Sequence, residues 1–200
     1  MLGPMRNVIA NISLSLDGRV AGPGGEYDMS WIVPHAVSAA ARDHMVRVTG
    51  GATTALLGRK NYQGFSGFWP SVAGDENADE RDRAFARWLD GVEKVVFSTT
   101  LDRVDWRNAR LAAADPAATV KELRAQEGGD IVVLASTSVI QQLLAAGEID
   151  RLSVTLCPEL VGGGARPFFA DDLDRSSWTL TDTARTDSGA LCLLYSRNAG

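Results

Sequence analysis

Two adjacent cations, Arg59 and Lys60, follow a short apolar run, Ala55 to Leu57, that Gly58 brings to a stop. Such a run reads as a buried strand, and the glycine as its end. The cations then fall where a helix begins. Backbone N–H groups at a helix start lack intrahelical acceptors and attract anions, and arginine adds a planar fork that fits phosphate oxygens. The implied chemistry is phosphate binding; the plain alternative is an exposed basic turn after a core strand. Two more strand ends carry polar side chains. Phe97-Ser98-Thr99-Thr100 places hydroxyls after the strand Val92 to Ser98, and Ala135-Ser136-Thr137-Ser138 opens a helix after the strand Ile131 to Leu134. Taken singly, each is equally an ordinary turn or cap. In a parallel sheet, however, ligands bind beyond the carboxyl ends of the strands. Three such ends together describe a groove for a phosphorylated, nucleotide-like ligand.

The elements that must position these residues follow from hydrophobic period and punctuation. Val8, Ala10, Ile12, Leu14 and Leu16 alternate with Asn11, Ser13 and Ser15, a period-two strand with one apolar face. Asp17-Gly18 turns the chain, Arg19-Val20-Ala21 reads as a short continuation, and Gly22 to Gly25 as a mobile loop. Pro34 suits the first turn of a helix running to about Val48, which Gly50-Gly51 stops. Gln63 to Pro70, with Phe65, Phe68 and Trp69 among glycines, reads as too glycine-rich for a long helix. Gly74 to Arg83 is a charged surface loop, followed by a short amphipathic helix through Phe85 and Trp88 to Leu89. Leu101 to Trp106 is a turn region. Asp115 caps a helix that Pro116 opens, and Ser136 caps another running to Gly147. Arg151 to Leu156 alternates as a strand, and Trp178 to Arg185 with Ala190 to Tyr195 forms a closing hairpin. Strand–helix alternation with antiparallel ends predicts one α/β domain over residues 6–198: a mostly parallel central sheet, antiparallel C-terminal strands, and helices on both faces. Residues 1–5 stand outside it as a disordered or added start.

Composition narrows the function classes. Two hundred residues with 45% hydrophobic and 22% charged content suit a soluble globular domain. A net charge of −5 argues against nucleic acid or an anionic membrane as partner. No apolar stretch approaches a membrane span, and no signal peptide opens the chain. Cys157 and Cys192 lie far apart in apolar runs and read as buried free thiols, which points to a reducing, cytoplasmic setting. With only His35 and His44, a three-histidine metal site is impossible, and no metal is expected. On one helix the two would face opposite ways, as solvent or structural residues. Asn11-Ile12-Ser13 matches a glycosylation acceptor but lies inside a strand. G-x-G-x-x-G, Walker A and G-x-S-x-G patterns are absent. Asp17, Glu26, Asp28 and Asp43 could supply a carboxylate, although Asp17 also suits a turn and Asp43 a solvated helix position.

In their order along the chain, these motifs resemble the dihydrofolate reductase superfamily, above all the reductase domain of riboflavin-biosynthesis deaminase–reductases. Ser15-Leu16-Asp17-Gly18-Arg19-Val20-Ala21 is similar to that domain's opening S-x-D-G-x-x-A. Trp31 and a helix holding Ala41-Arg42-Asp43 follow in similar order. Gly58-Arg59-Lys60-Asn61-Tyr62 resembles the G-R-x-T-[WY] phosphate motif, and Val95-Val96-Phe97-Ser98-Thr99 the I-I-L-S-S strand end. Glu148 to Leu152 with Cys157 to Gly164 resembles L-V-D-E-L…P-x-L-L-G-x-G. The likeness runs from Arg6 through nearly the whole chain.

The resemblance implies an NADPH-dependent reductase. Gly58, Arg59 and Lys60 would meet the 2′-phosphate or pyrophosphate, and Ser98 and Thr99 the adenosine ribose phosphate. Ser136, Thr137, Ser138 and Val139, after Leu134, would hold the pyrophosphate on a helix start, and Ile12 and Val20 would line the nicotinamide. Hydride would pass to a C=N or C=O bond of a small heterocyclic or nucleotide-like substrate, the protein orienting the cofactor. Asp17 and Asp28 are the nearest candidate catalytic carboxylates, and Trp31, Tyr62 and Phe68 candidate substrate walls. Two positions depart from the family. Its Gly-Gly after the central strand is Ala135-Ser136 here, and the carboxylate of dihydrofolate reductases is replaced by Ala36. Without that acid, dihydrofolate is not the expected substrate. The alternatives are 5-amino-6-(5-phosphoribosylamino)uracil, as in riboflavin biosynthesis, or a non-catalytic nucleotide-binding module. Family habit also implies a homodimer paired through the C-terminal strands.

Overall fold

The alternation along the first strand, β1 (Val8–Leu14), sorts the molecule into two cores. Val8, Ala10, Ile12 and Leu14 point to one face of the sheet, where they meet Val120, Leu123, Val139, Ile140 and Leu143. Ile9 points to the other, among Val48, Tyr62, Phe85 and Leu89. A sheet buried on both faces needs helices on both, which is the layered arrangement the chain adopts. The computed structural model describes residues 6–25, 28–162, 167–169 and 173–198. The N-terminal pentapeptide, the candidate acid Glu26 and the glycines Gly163 and Gly164 lie outside the described residues.

After β1 come α1 (Val33–Ala36), α2 (Ala39–Thr49), β2 (Ala52–Gly58), α3 (Arg59–Val72), α4 (Glu80–Gly91), β3 (Glu93–Phe97) and β4 (Ala109–Leu111). Then follow α5 (Pro116–Arg124), β5 (Asp130–Leu134), α6 (Thr137–Ala145), β6 (Arg151–Leu156), β7 (Trp178–Arg185) and β8 (Leu191–Arg197). The sheet order is β4-β3-β2-β5-β1-β6-β8-β7. Pairing is parallel from β4 to β6 and antiparallel from β6 through β8 to β7. Helices α2, α3 and α4 cover one face, α5 and α6 the other.

Four local expectations give way. The helix from Pro34 breaks at Val37–Ser38, because Ser38 turns extended (ψ 153°) and caps a new helix by accepting from the Ala41 amide. Gln63 to Pro70 is helical after all, as part of the 14-residue α3. Trp69 packs edge-on to Phe85 with ring centroids 4.6 Å apart, and this burial outweighs the poor helix propensity of Gly64, Gly67 and Pro70. The Gly74–Arg83 loop ends early, at Asp79, which caps α4. Arg19 to Ala21 is not a strand: the Ser15 amide donates to Arg19 O, closing a turn with Gly18 at φ +70°.

Both histidines are buried and structural, on separate helices. Both cysteines are free and buried, and burial pushes the Cys157 thiol up to about 11. No helix among the described residues is long and apolar enough to cross a membrane.

Candidate functional site

The loops that leave the carboxyl ends of β3, β2 and β5 border one cleft of about 1190 Å³. That exceeds the roughly 300–1,000 Å³ of ordinary small-molecule pockets and suits an extended ligand. At its centre two helices begin. The N-cap of α3, Gly58, has no side chain to offer its first turn, and the N-cap of α6, Ser136, makes no side-chain cap bond. Both helix starts therefore present uncapped amides and a positive dipole end to the cleft.

Arg59 adds a fixed charge there. Its Nη1 donates to the Thr100 hydroxyl at 3.1 Å, and no carboxylate among the described residues pairs with it. The Ser98 hydroxyl accepts from the amides of Thr100 and Leu101 at 3.1 and 2.9 Å, so its own proton stays available to a bound oxygen. By contrast, the start of α5 at the same rim is already capped by Asp115, which accepts from the Ala118 amide.

The cleft gathers Val20, Gly58, Arg59, Lys60, Ser98, Thr99, Ser136, Thr137, Ser138 and Val139. These are most of the residues assigned to cofactor from the sequence. Ile12 and Leu134 do not line it; both are core residues, 3% and 1% exposed. Ser136 is at the cleft, but its hydroxyl turns inward, donating to Leu134 O at 2.9 Å and accepting from the Gly58 amide at 2.8 Å. The cleft is also lined by Thr100, and by Asn61, Phe65, Met29 and Gln142, to which the sequence reading gave no ligand role. Thr100 was legible as the third hydroxyl of its run; Met29 reaches the cleft only through a loop fold that no periodicity encodes.

The candidate substrate and catalytic residues stand elsewhere. Tyr62 is 7% exposed, and its hydroxyl accepts from the amides of Asp105 and Trp106, anchoring that loop to α3. It is a core residue and not a substrate wall. Phe68 is on the solvent side of α3, 57% exposed. Trp31 sits just beyond Met29, its indole Nε1 buried without a hydrogen-bond partner among the described residues.

Asp17 is spent on structure. It accepts from the Ser15 hydroxyl at 2.7 Å, from the amides of Val161 and Gly162, and from Arg19 Nε at 3.0 Å. The Ser15 bond foremost, and those amides, hold its carboxyl well below the usual range. Asp28 accepts from the Ser30 hydroxyl and the Gly24 amide, which lower it too. Carboxylates held ionised carry no proton to give, so neither fits the role of general acid. Both instead tie down the loops around the cleft. Among the described residues, no group of His, Cys, Asp and Glu is placed to hold a metal ion.

A family model described as the RibD C-terminal domain matches residues 6–192. The Bacillus subtilis (strain 168) protein YyaP is 24% identical over 193 residues, covering 96% of each chain. Among solved structures, a pyrimidine reductase-like protein from Corynebacterium diphtheriae aligns with a TM-score of 0.67 at 14% identity, over 98% of this chain and 93% of its own. Enterococcus faecalis dihydrofolate reductase, complexed with NADP(H), aligns with a TM-score of 0.60 at 16% identity, over 96% and 97%. At such identities these structures establish the fold.

Proposed function

The chain belongs to the RibD C-terminal domain family, and from that premise we propose that it is an NADPH-dependent reductase of a small heterocyclic or nucleotide-like substrate. One observation carries the reading: two uncapped helix starts and an arginine with no carboxylate partner among the described residues face the same cleft. Uncapped amides and a guanidinium are the groups that bind phosphate. The residues present thus fit a dinucleotide.

Arg59, with Lys60, would take the 2′-phosphate, aided by the hydroxyls of Ser98 and Thr99. The first amides of α3 and α6, at Arg59 and Lys60 and at Thr137 to Val139, would take the pyrophosphate. Val20 packs on the core cluster that contains Ile12 and offers an apolar wall for the nicotinamide. The cofactor, when bound, supplies hydride; the protein's share is to bind it, orient it and shield it from water. Trp31 is a candidate for substrate, since its buried indole N–H lacks an acceptor among the described residues, one that a substrate carbonyl or ring nitrogen could provide.

Thermal unfolding with NADPH against NADH tests this. A ligand at a hundred times its Kd stabilises by about 2.7 kcal/mol, so NADPH should raise Tm clearly and NADH less. Arg59→Ala should remove most of that preference, about tenfold in Kd, since a charge-assisted hydrogen bond is worth roughly 1.5–3 kcal/mol. An unchanged preference would show that Arg59 does not meet the 2′-phosphate; no shift with either nucleotide would end the cofactor reading. Oxidation of NADPH is then followed with pterins, imines and 5-amino-6-(5-phosphoribosylamino)uracil. Tight binding without turnover on any of them would favour a nucleotide-binding module.

We also propose that two copies pair through β7 and β8. β7 is an edge strand, and Leu180 and Leu191 are exposed on this hairpin. Light scattering should give twice the 21.4 kDa of one chain; a monomer mass at assay concentration would refute the pairing.

A further inference from the structure

Serine at a helix N-cap ordinarily accepts a hydrogen bond from the amides of its own first turn. Ser136 stands at the N-cap of α6 and makes no such bond. The residue is 2% exposed, and its hydroxyl bridges Leu134 O and the Gly58 amide at 2.9 and 2.8 Å. Gly58 is the N-cap of α3 and the last residue of β2; Leu134 is the last residue of β5, the parallel neighbour of β2. One buried oxygen therefore fastens the start of one helix to the strand that leads into the other. Because the hydroxyl is committed there, the first amides of α6 keep no side-chain acceptor, and those of α3 have none from glycine.

We propose that Ser136 is a positioning residue for a dinucleotide pyrophosphate, setting the separation of the α3 and α6 N-termini through Gly58 and Leu134. The proposal rests on the reading of the cleft as a dinucleotide site. A pyrophosphate holds its two anionic groups at a fixed spacing, so a seat made from two helix starts is only as good as their relative placement. Alanine at this position would remove the acceptor of the Gly58 amide and the bridge between the strand ends, leaving both helix starts in place but free to shift.

The test is calorimetric titration of the intact protein with NADPH and with 2′-AMP, which carries the 2′-phosphate but no pyrophosphate. Ser136→Ala should weaken NADPH by about tenfold, the equivalent of one lost buried hydrogen bond, and leave 2′-AMP unchanged. Ser136→Thr, which keeps a hydroxyl on the same carbon, should restore NADPH affinity. If the alanine variant does not fold, Ser136→Cys makes the same comparison, since its thiol keeps the shape but bonds weakly; the same split between the probes is expected. Equal loss for both probes, or parental NADPH affinity in the variant, overturns the positioning role while leaving the cofactor reading intact. Failure of the parent protein to bind NADPH overturns both.

Discussion

Ala135 adopts φ +46°, in the left-handed region that L-residues other than glycine enter at a cost of roughly 1–2 kcal/mol. The Ser136 hydroxyl bond to Leu134 O spans this residue and helps to hold it there. Strain of this kind, in the lining of the cleft, persists because the packing around it over-determines the backbone. Ala135→Gly should relieve it. Set against the larger unfolded-state entropy of glycine, the net gain should be about 0.5–1 kcal/mol. Urea unfolding measures it directly, and a variant less stable than the parent would show that Ala135 is unstrained. The same stretch shows what single residues disclose in sequence. Arg59 and Ser98 were legible because each directly follows a short apolar strand, and Thr137 because it opens the helix after one; in a parallel sheet such positions are fixed by topology. Asp17 was legible as a turn residue, but the four donors that claim its carboxylate include amides more than a hundred residues away.

Among elements, α3 shows where sequence reasoning stops and where it could have gone further. Gly64, Gly67 and Pro70 argue locally against a helix, and each is a poor interior residue. Yet Tyr62, Phe65 and Trp69 recur at i, i+3 and i+7, the spacing of one helical face, and all three pack into the core beside α4. The stripe was in the sequence and outweighs the breakers once Phe85 and Trp88 are there to receive it. That phase also explains Tyr62. It shares the first turn with Arg59 yet faces the sheet, so its nearness to the phosphate motif says nothing about ligand contact. The short strand β4 carried no comparable signal. Its three residues pair only along β3, and a strand of that length has no period to detect. The break between α1 and α2 falls at Ser38, whose hydroxyl caps α2 locally, a serine signal that the reading of one continuous helix passed over.

At the scale of the molecule, the sheet is packed on both faces, and it encloses a short chain of polar side chains. Between β1, β6 and α2, the Asn11 side chain donates to the Ser153 hydroxyl at 2.9 Å, and Ser153 Oγ lies 2.8 Å from His44 Nε2. With one proton and two lone pairs, the Ser153 hydroxyl accepts from Asn11 and can still pair with Nε2 in either tautomer of the neutral imidazole. The other ring nitrogen, Nδ1, is buried without a hydrogen-bond partner among the described residues. A second proton would put a charge into the core, so burial above all, with Arg47 nearby and only partly offset by Asp182 on β7, lowers His44 from 6.5 to about 4. Between those values the unfolded chain binds the proton and the folded chain does not. The contribution is therefore complete above pH 6.5 and is lost as pH falls toward 4, amounting to about 3 kcal/mol at the usual 1.36 kcal/mol per unit. The carboxylates of Asp17 and Asp79, both held low, act in a separate window below their ordinary value of 3.8. His44→Gln keeps a polar partner for Ser153 without the titration. Urea unfolding at pH 7.5, 5.5 and 4.5 should show the parent losing stability steeply and the variant losing markedly less. Parallel losses in the two proteins would place the acid sensitivity of the fold somewhere other than His44.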